Sequence, residues 1–136
     1  MEYPQLMNEF AAKCGLPSPE TASGAVVIDF NGIAVSFLDD PAGRAVVLHA
    51  SIGEALHGRE GRLARELLEA NAALCEKPGA ILCQDPETKR FAAIRSVPLQ
   101  TADPDALAEI VAELVATVAR WRERMAAADG QFAYGS

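Results

Sequence analysis

Residues 25–38 read Ala-Val-Val-Ile-Asp-Phe-Asn-Gly-Ile-Ala-Val-Ser-Phe-Leu, and this stretch decides the fold. Asn31-Gly32 lies between two apolar runs and supplies the positive φ angles that a type I′ turn requires. The stretch is therefore predicted to form a β-hairpin with a two-residue loop. The loop length fixes the register and places six large apolar side chains on one face: Val26, Ile28, Phe30, Ile33, Val35 and Phe37.

The opposite face of the hairpin is smaller and mixed in polarity. It carries Ala25, Val27, Asp29, Ala34, Ser36 and Leu38. An isolated hairpin is only marginally stable in water, so other elements must cover the large apolar face. We expect the chain before and after the hairpin to supply that cover.

Length and charge restrict the class of protein. The chain has 136 residues, which predicts one domain over residues 1–136. Its net charge of −7 repels nucleic acid and anionic membranes. No apolar run approaches the roughly 20 residues of a membrane span, and the N-terminus does not resemble a secretory signal. A cytoplasmic location is therefore expected.

Periodicity predicts the other elements. Apolar residues at helical spacing predict helices over residues 4–14 and 62–75, and a third begins at Pro104 after the N-cap Asp103. Three further strands are predicted over 45–50, 80–84 and 91–97, while Gly130 is expected to end the last helix before a frayed tail at 131–136. The order is α-β-β-β-α-β-β-α. This order predicts an α+β fold in which helices pack on a five-stranded antiparallel sheet.

The sequence offers few residues for catalysis. His49 and His57 lie outside metal-binding patterns, and the three cysteines, Cys14, Cys75 and Cys83, lack finger spacing. Asp39-Asp40 precedes Pro-Ala-Gly and is typical of a turn. A small hydrolase using Asp39, Asp40 and His49 is the weakest hypothesis. We therefore predict a protein that is not an enzyme, with no cofactor and no metal site.

Apolar stripes exceed what one small core requires. The hairpin, the third strand, the middle helix and the last helix all carry such stripes in an acidic chain. The middle helix is hard to cover if the first and last helices occupy the other face of the sheet. Exposed apolar stripes usually mark interfaces, so a homodimer is expected.

The element order and local sequence resemble the type III secretion chaperones of the CesT/SycE kind, the Tir chaperone family. The resemblance covers nearly the whole chain. It is carried by four segments: Cys14-Gly15-Leu16 after the first helix, Asp29-Phe30-Asn31-Gly32 in the hairpin, Leu67-Leu68-Glu69-Ala70-Asn71 in the middle helix, and Ala119-Arg120-Trp121 in the last helix. The Leu-Leu-x-x-Asn segment is the most specific of these.

The resemblance implies a virulence-associated homodimer that binds the N-terminal chaperone-binding region of a secreted effector. The client would stay soluble, extended and ready for the secretion ATPase. Two residue sets follow from the resemblance. The dimer interface would contain Leu63, Leu67, Asn71 and Leu74, and the effector-binding groove would contain Leu6, Phe10, Val27, Leu38 and Val47. Each groove residue, taken singly, also fits an ordinary core position.

One alternative belongs to a different functional class. A regulatory or sensory domain of similar α+β fold, resembling the YbjN-like proteins, would bind a folded partner and not an extended one. The nature of the partner separates these two hypotheses.

Overall fold

The computed structural model describes residues 1–54, 58–74 and 79–135, except for the side chains at 60, 74 and 128–135. The elements follow the predicted order. They are α1 (Tyr3–Lys13), β1 (Ala25–Phe30), β2 (Ile33–Asp40), β3 (Ala45–Gly53), α2 (Glu60–Leu74), β4 (Ile81–Gln84), β5 (Phe91–Pro98) and α3 (Pro104–Gly135). The α+β prediction is confirmed.

The hairpin has the predicted register. Asn31 and Gly32 take φ angles of 52° and 89°, which are the left-handed values that a type I′ turn needs. Phe30 pairs with Ile33, and the ladder continues to Ala25 and Leu38. A local sequence signal therefore set the pairing of every residue in β1 and β2.

The five strands form one antiparallel sheet in the order β1-β2-β3-β5-β4. β1 and β4 are its two edges. β4 is short and pairs only with the first half of β5, from Phe91 to Ile94. The second half of β5 therefore has β3 on one side and no paired strand on the other.

The first and last helices cover one face of the sheet, as predicted. Phe10 of α1 packs on Phe37 of β2 with ring centroids 5.5 Å apart. The Tyr3 hydroxyl donates a hydrogen bond to the Phe37 carbonyl at 2.8 Å. α3 packs across β3 and β5 and contributes Leu107, Leu114 and Val118 to the core. We call this side of the sheet the covered face.

α2 joins the same core, which corrects the expectation that its apolar stripe lacks cover within one chain. Leu63 and Leu67 are 8% and 3% exposed and belong to the core cluster. Glu66 forms an ion pair with Arg124 of α3 at 3.4 Å, and α2 also lies against β4. The helix packs beside the edge strand, a position that periodicity alone cannot predict.

Two element boundaries differ from the predictions. β3 continues to Gly53, beyond the predicted end at Ala50, with a register shift between Ser51 and Gly53. α3 continues to Gly135 and does not end at Gly130. His57 and Cys75 lie outside the described residues. Among the helices that are described, none combines the length and apolarity needed to cross a membrane.

Candidate functional site

The face of the sheet opposite the covered face carries exposed apolar side chains, and we call it the open face. It includes Val27 and Leu38 of the hairpin, Val47 of β3, and Ile81 at the far edge. Val27 and Ile81 are each 64% exposed, and Leu38 is 38% exposed. None of the three described helices covers this surface. It is the main apolar surface that the described chain leaves in contact with solvent.

The β1 edge presents unused main-chain groups beside this open face. In the hairpin ladder, Val26, Ile28 and Phe30 occupy the hydrogen-bonded positions, as shown by the continuing bond from the Asp39 amide to the Gly24 carbonyl. The N–H and C=O groups of Val27 and Asp29 must therefore point away from β2. The Ser23 hydroxyl already donates to the neighbouring outward carbonyl, that of Ala25, at 3.2 Å. The main-chain N–H and C=O groups of Val27 and Asp29 can therefore pair with an added strand.

The β4 edge is closed by a side chain. The Asn71 amide nitrogen donates to the Leu82 carbonyl at 2.8 Å, and the Leu82 amide donates to the Asn71 carboxamide oxygen at 2.9 Å. Ile81 and Cys83 occupy the hydrogen-bonded positions facing β5, so the main-chain groups of Leu82 and Gln84 point outward, and Asn71 occupies those of Leu82. The two sheet edges therefore differ: one is blocked at its centre and the other is available.

The predicted groove residues divide into two groups. Val27 and Leu38 lie exposed on the open face, and Val47 lies half-buried between them and β5. Leu6 and Phe10 are 0% and 1% exposed, so the structure places both inside the core under the covered face. These two side chains offer no surface to a partner, because α1 turns its apolar stripe toward the core.

The residues predicted for the dimer interface have different positions in the structure. Leu63 and Leu67 fill the core, and Asn71 closes the β4 edge. Leu74 ends α2, and its side chain lies outside the described residues. Sequence reasoning passed over Leu68, which is 69% exposed, and Ile81. Because Leu67 and Leu68 are adjacent and chemically identical, the sequence does not show which of them faces outward.

The residues considered for hydrolysis are not brought together. Asp39 belongs to the covered face, whereas His49 pairs with Ser36 on the open face. Asp40 accepts a hydrogen bond from the Gly43 amide at 3.1 Å, as expected for a turn residue. Burial raises the pKa of the Cys83 thiol, and the nearby Asp85 charge adds to this, so it is a poor nucleophile. Within the described residues, no group of acidic, histidine and cysteine side chains fits a metal ion.

A comparison with protein families matches residues 5–122 to the model of the "Tir chaperone protein (CesT) family". No curated protein matches the sequence. The family match extends from α1 into the second half of α3, so it includes all five strands.

Solved structures provide the second comparison. The chain resembles one in the HopA1-SchA chaperone-effector complex, with a TM-score of 0.77 at 19% identity over 89% of this chain and 93% of the other. It resembles one in the ExsC-ExsE complex equally well, with a TM-score of 0.77 at 17% identity over 92% and 97%. A third match is to the ExoU-SpcU complex from the type III secretion system of Pseudomonas aeruginosa, with a TM-score of 0.71 at 16% identity over 88% and 97%. At these identities the matches establish a shared fold.

Proposed function

The chain belongs to the Tir chaperone protein (CesT) family, and we propose that it is a type III secretion chaperone. It binds the N-terminal chaperone-binding region of a secreted effector and keeps that region soluble, extended and competent for secretion. The observation that carries this proposal is the apolar open face beside the unpaired β1 edge. The structural relatives include chaperone-effector complexes, which supports a protein client.

An extended client needs this kind of surface. A disordered segment loses conformational entropy when it binds, so its affinity comes from contacts spread over a large area, roughly 1,000–3,000 Å². The main-chain groups of Val27 and Asp29 can pair with any sequence, and Val27 and Leu38 supply apolar contact. Backbone pairing gives affinity and the side-chain contacts give selectivity.

The charge around the hairpin favours a basic client segment. Residues 1–43 contain Lys13 as their only basic residue, against six acidic residues: Glu2, Glu9, Glu20, Asp29, Asp39 and Asp40. The Asp29 carboxylate lies at the β1 edge, where it accepts a hydrogen bond from the Gly32 amide at 3.1 Å. A Lys or Arg side chain beside the added strand would therefore be attracted to this edge.

The working unit we propose is a cytoplasmic homodimer that delivers its client to the secretion ATPase. The exposed Leu68 of α2 and Ile81 of β4 are the best candidates for the subunit contact, because Leu63 and Leu67 are already buried within one chain. Two copies would double the surface available to a long client. A dimer would also remove two large apolar side chains per chain from water.

Coexpression with secreted proteins encoded beside this chain tests the proposal. We expect a stable complex in which the N-terminal region of the effector resists protease. If no such protein copurifies, or if its N-terminal region is cleaved as fast as in isolation, the proposal is wrong.

A matched pair of variants at Val27 tests the position of the client. Val27→Pro removes an N–H that points away from β2, and proline is tolerated on edge strands for that reason. Val27→Ala keeps the N–H and shortens the side chain. We expect Val27→Pro to lose the effector while Val27→Ala retains a weakened complex. Equal retention by both variants would place the client elsewhere.

A further inference from the structure

A trough lies on the covered side of the sheet, where β5 extends beyond β4. Ile81 and Cys83 hydrogen-bond to Ile94 and Ala92, so alternate residues of β5 face β4. Ser96 is the next residue in this series, and its N–H and C=O point toward Gly79. Among the described main-chain hydrogen bonds outside the regular elements, none joins Ser96 to Gly79. Ser96 therefore presents one strand-like donor and acceptor to the trough.

Arg95 forms the floor of this trough. It pairs with Leu48 in the ladder, so its side chain lies on the covered face under α3, and it is 17% exposed. Its guanidinium donates to Glu113 of α3 at 3.5 Å, at the outer limit of a hydrogen bond, and Glu113 is 73% exposed. A guanidinium carries five N–H donors, so this single long contact leaves most of its capacity available.

Two neighbouring cavities both have Arg95 in their walls. One has a volume of about 570 Å³ and lies between α2 and α3, with Ala70, Leu114 and Trp121 among its walls. The other, about 330 Å³, follows β5 past Ser96 and Val97. Gly79, Arg95 and Ile110 line both. Apolar walls therefore surround a charged group and the main chain of Ser96, which has no main-chain partner on this side among the described residues.

We propose that this trough binds an extended, apolar segment of the client that carries one Asp or Glu. The carboxylate pairs with Arg95 in place of Glu113, one client residue pairs its main chain with Ser96, and the flanking apolar side chains fill the two cavities. Charge complementarity supports this occupant. In a chain of net charge −7, the described residues of the trough walls include Arg95 and Arg120 and one carboxylate, that of Glu113. This inference rests on the proposed function and adds a second site far from the acidic β1 edge.

The test uses the full chain and a synthetic peptide as probe. The probe is an acetylated, amidated hexapeptide, Val-Ala-Val-Asp-Val-Ala, and its matched control replaces Asp with Asn. Titration is followed by the shift of the Ser96 amide in NMR spectra. We expect the Asp peptide to shift this amide and the Asn peptide to bind about tenfold more weakly, because the charged hydrogen bond to Arg95 is lost.

Two protein variants should change the affinity for the Asp peptide in opposite directions. Arg95→Gln should weaken binding of the Asp peptide until its affinity equals that of the Asn peptide. Glu113→Gln should strengthen binding of the Asp peptide, because it removes the carboxylate that competes for Arg95. If Arg95 and Glu113 served only to hold α3 on the sheet, both variants would lower stability and neither would distinguish the two peptides.

Three results would overturn the proposal: equal binding of the two peptides, no shift of Ser96 on titration, or conversion of a dimer to a monomer by Arg95→Gln in light scattering. The last result would assign the trough to the subunit contact. None of them affects the coexpression experiment, which measures total effector binding and so tests the proposed function separately.

Discussion

The Asn71 carboxamide forms two hydrogen bonds with the main chain of Leu82, at 2.8 and 2.9 Å. It donates to the carbonyl and accepts from the amide, so one side chain occupies the place of a neighbouring strand. This contact fixes α2 beside β4 and blocks the β4 edge at Leu82, whereas the β1 edge has no such contact among the described residues.

Replacement of Asn71 tests this capping contact. Asn71→Ala removes both hydrogen bonds and leaves the Leu82 amide and carbonyl without them. We expect the free energy of unfolding to fall by about 1–3 kcal/mol. Urea titration gives the stability, and hydrogen exchange of the Leu82 amide should accelerate. Asn71→Asp is the matched control, since it keeps an acceptor for the amide and loses the donor. An unchanged exchange rate in Asn71→Ala would contradict the capping role.

Tyr3 should make stability fall at high pH. Burial raises the pKa of its phenol above the usual value, and the Asp39 charge adds to this. The unfolded phenol ionises near pH 10, so the stability linked to Tyr3 is complete below that pH. It is lost as pH rises from there through the folded pKa.

Tyr3→Phe isolates this effect. The variant loses the hydrogen bond to the Phe37 carbonyl, which we expect to cost about 0.5–1.5 kcal/mol at neutral pH. Above pH 10 the difference between the two proteins should shrink, because phenylalanine cannot ionise. Thermal unfolding of both proteins at pH 7 and at pH 11 measures the hydrogen-bond contribution and its loss on ionisation. A stability difference between the two proteins that does not change with pH would show that Tyr3 ionisation is not linked to unfolding.

Local signals predicted the hairpin, whereas packing between distant segments decided the rest of the site. Asn31-Gly32 determines its own turn, and the turn sets the register of β1 and β2. The same pattern also identified Val27 and Leu38 as the smaller face, which is the face that the structure leaves open.

Periodicity cannot report what covers an apolar stripe. Leu6 and Phe10 fit a groove and a core equally well by sequence, and the structure buries both, with Phe10 against Phe37 of β2. Leu67 and Leu68 are adjacent and chemically identical, so only the docking of α2 beside β4 distinguishes their environments. The capping role of Asn71 was missed for the same reason, since Leu82 is distant in sequence and meets it through that docking.

Arg122 is expected to hold the second half of α3 to the sheet. Its guanidinium donates to the Gly32 carbonyl at 3.1 Å and to the Ser51 carbonyl at 2.8 Å. Arg122→Met keeps an aliphatic stem and removes both contacts, so we expect a loss of about 1.5–3 kcal/mol. Arg120→Met is the control, because Arg120 is exposed and contacts Thr117 at 3.5 Å. Equal urea midpoints for the two variants would show that Arg122 contributes little.

Substitutions at the two adjacent leucines of α2 test folding and dimer assembly separately. Leu67→Asp places a charge in the core, where burial without compensation is strongly unfavourable, so we expect an unfolded or aggregated chain. Leu68→Asp places the same charge on an exposed position, so the fold should remain and the proposed dimer should dissociate. Circular dichroism reports the fold, and light scattering across a range of concentrations reports the mass. If Leu68→Asp keeps the mass of the dimer, the subunit contact does not include this face of α2. If Leu67→Asp folds normally, the placement of α2 in the core is wrong.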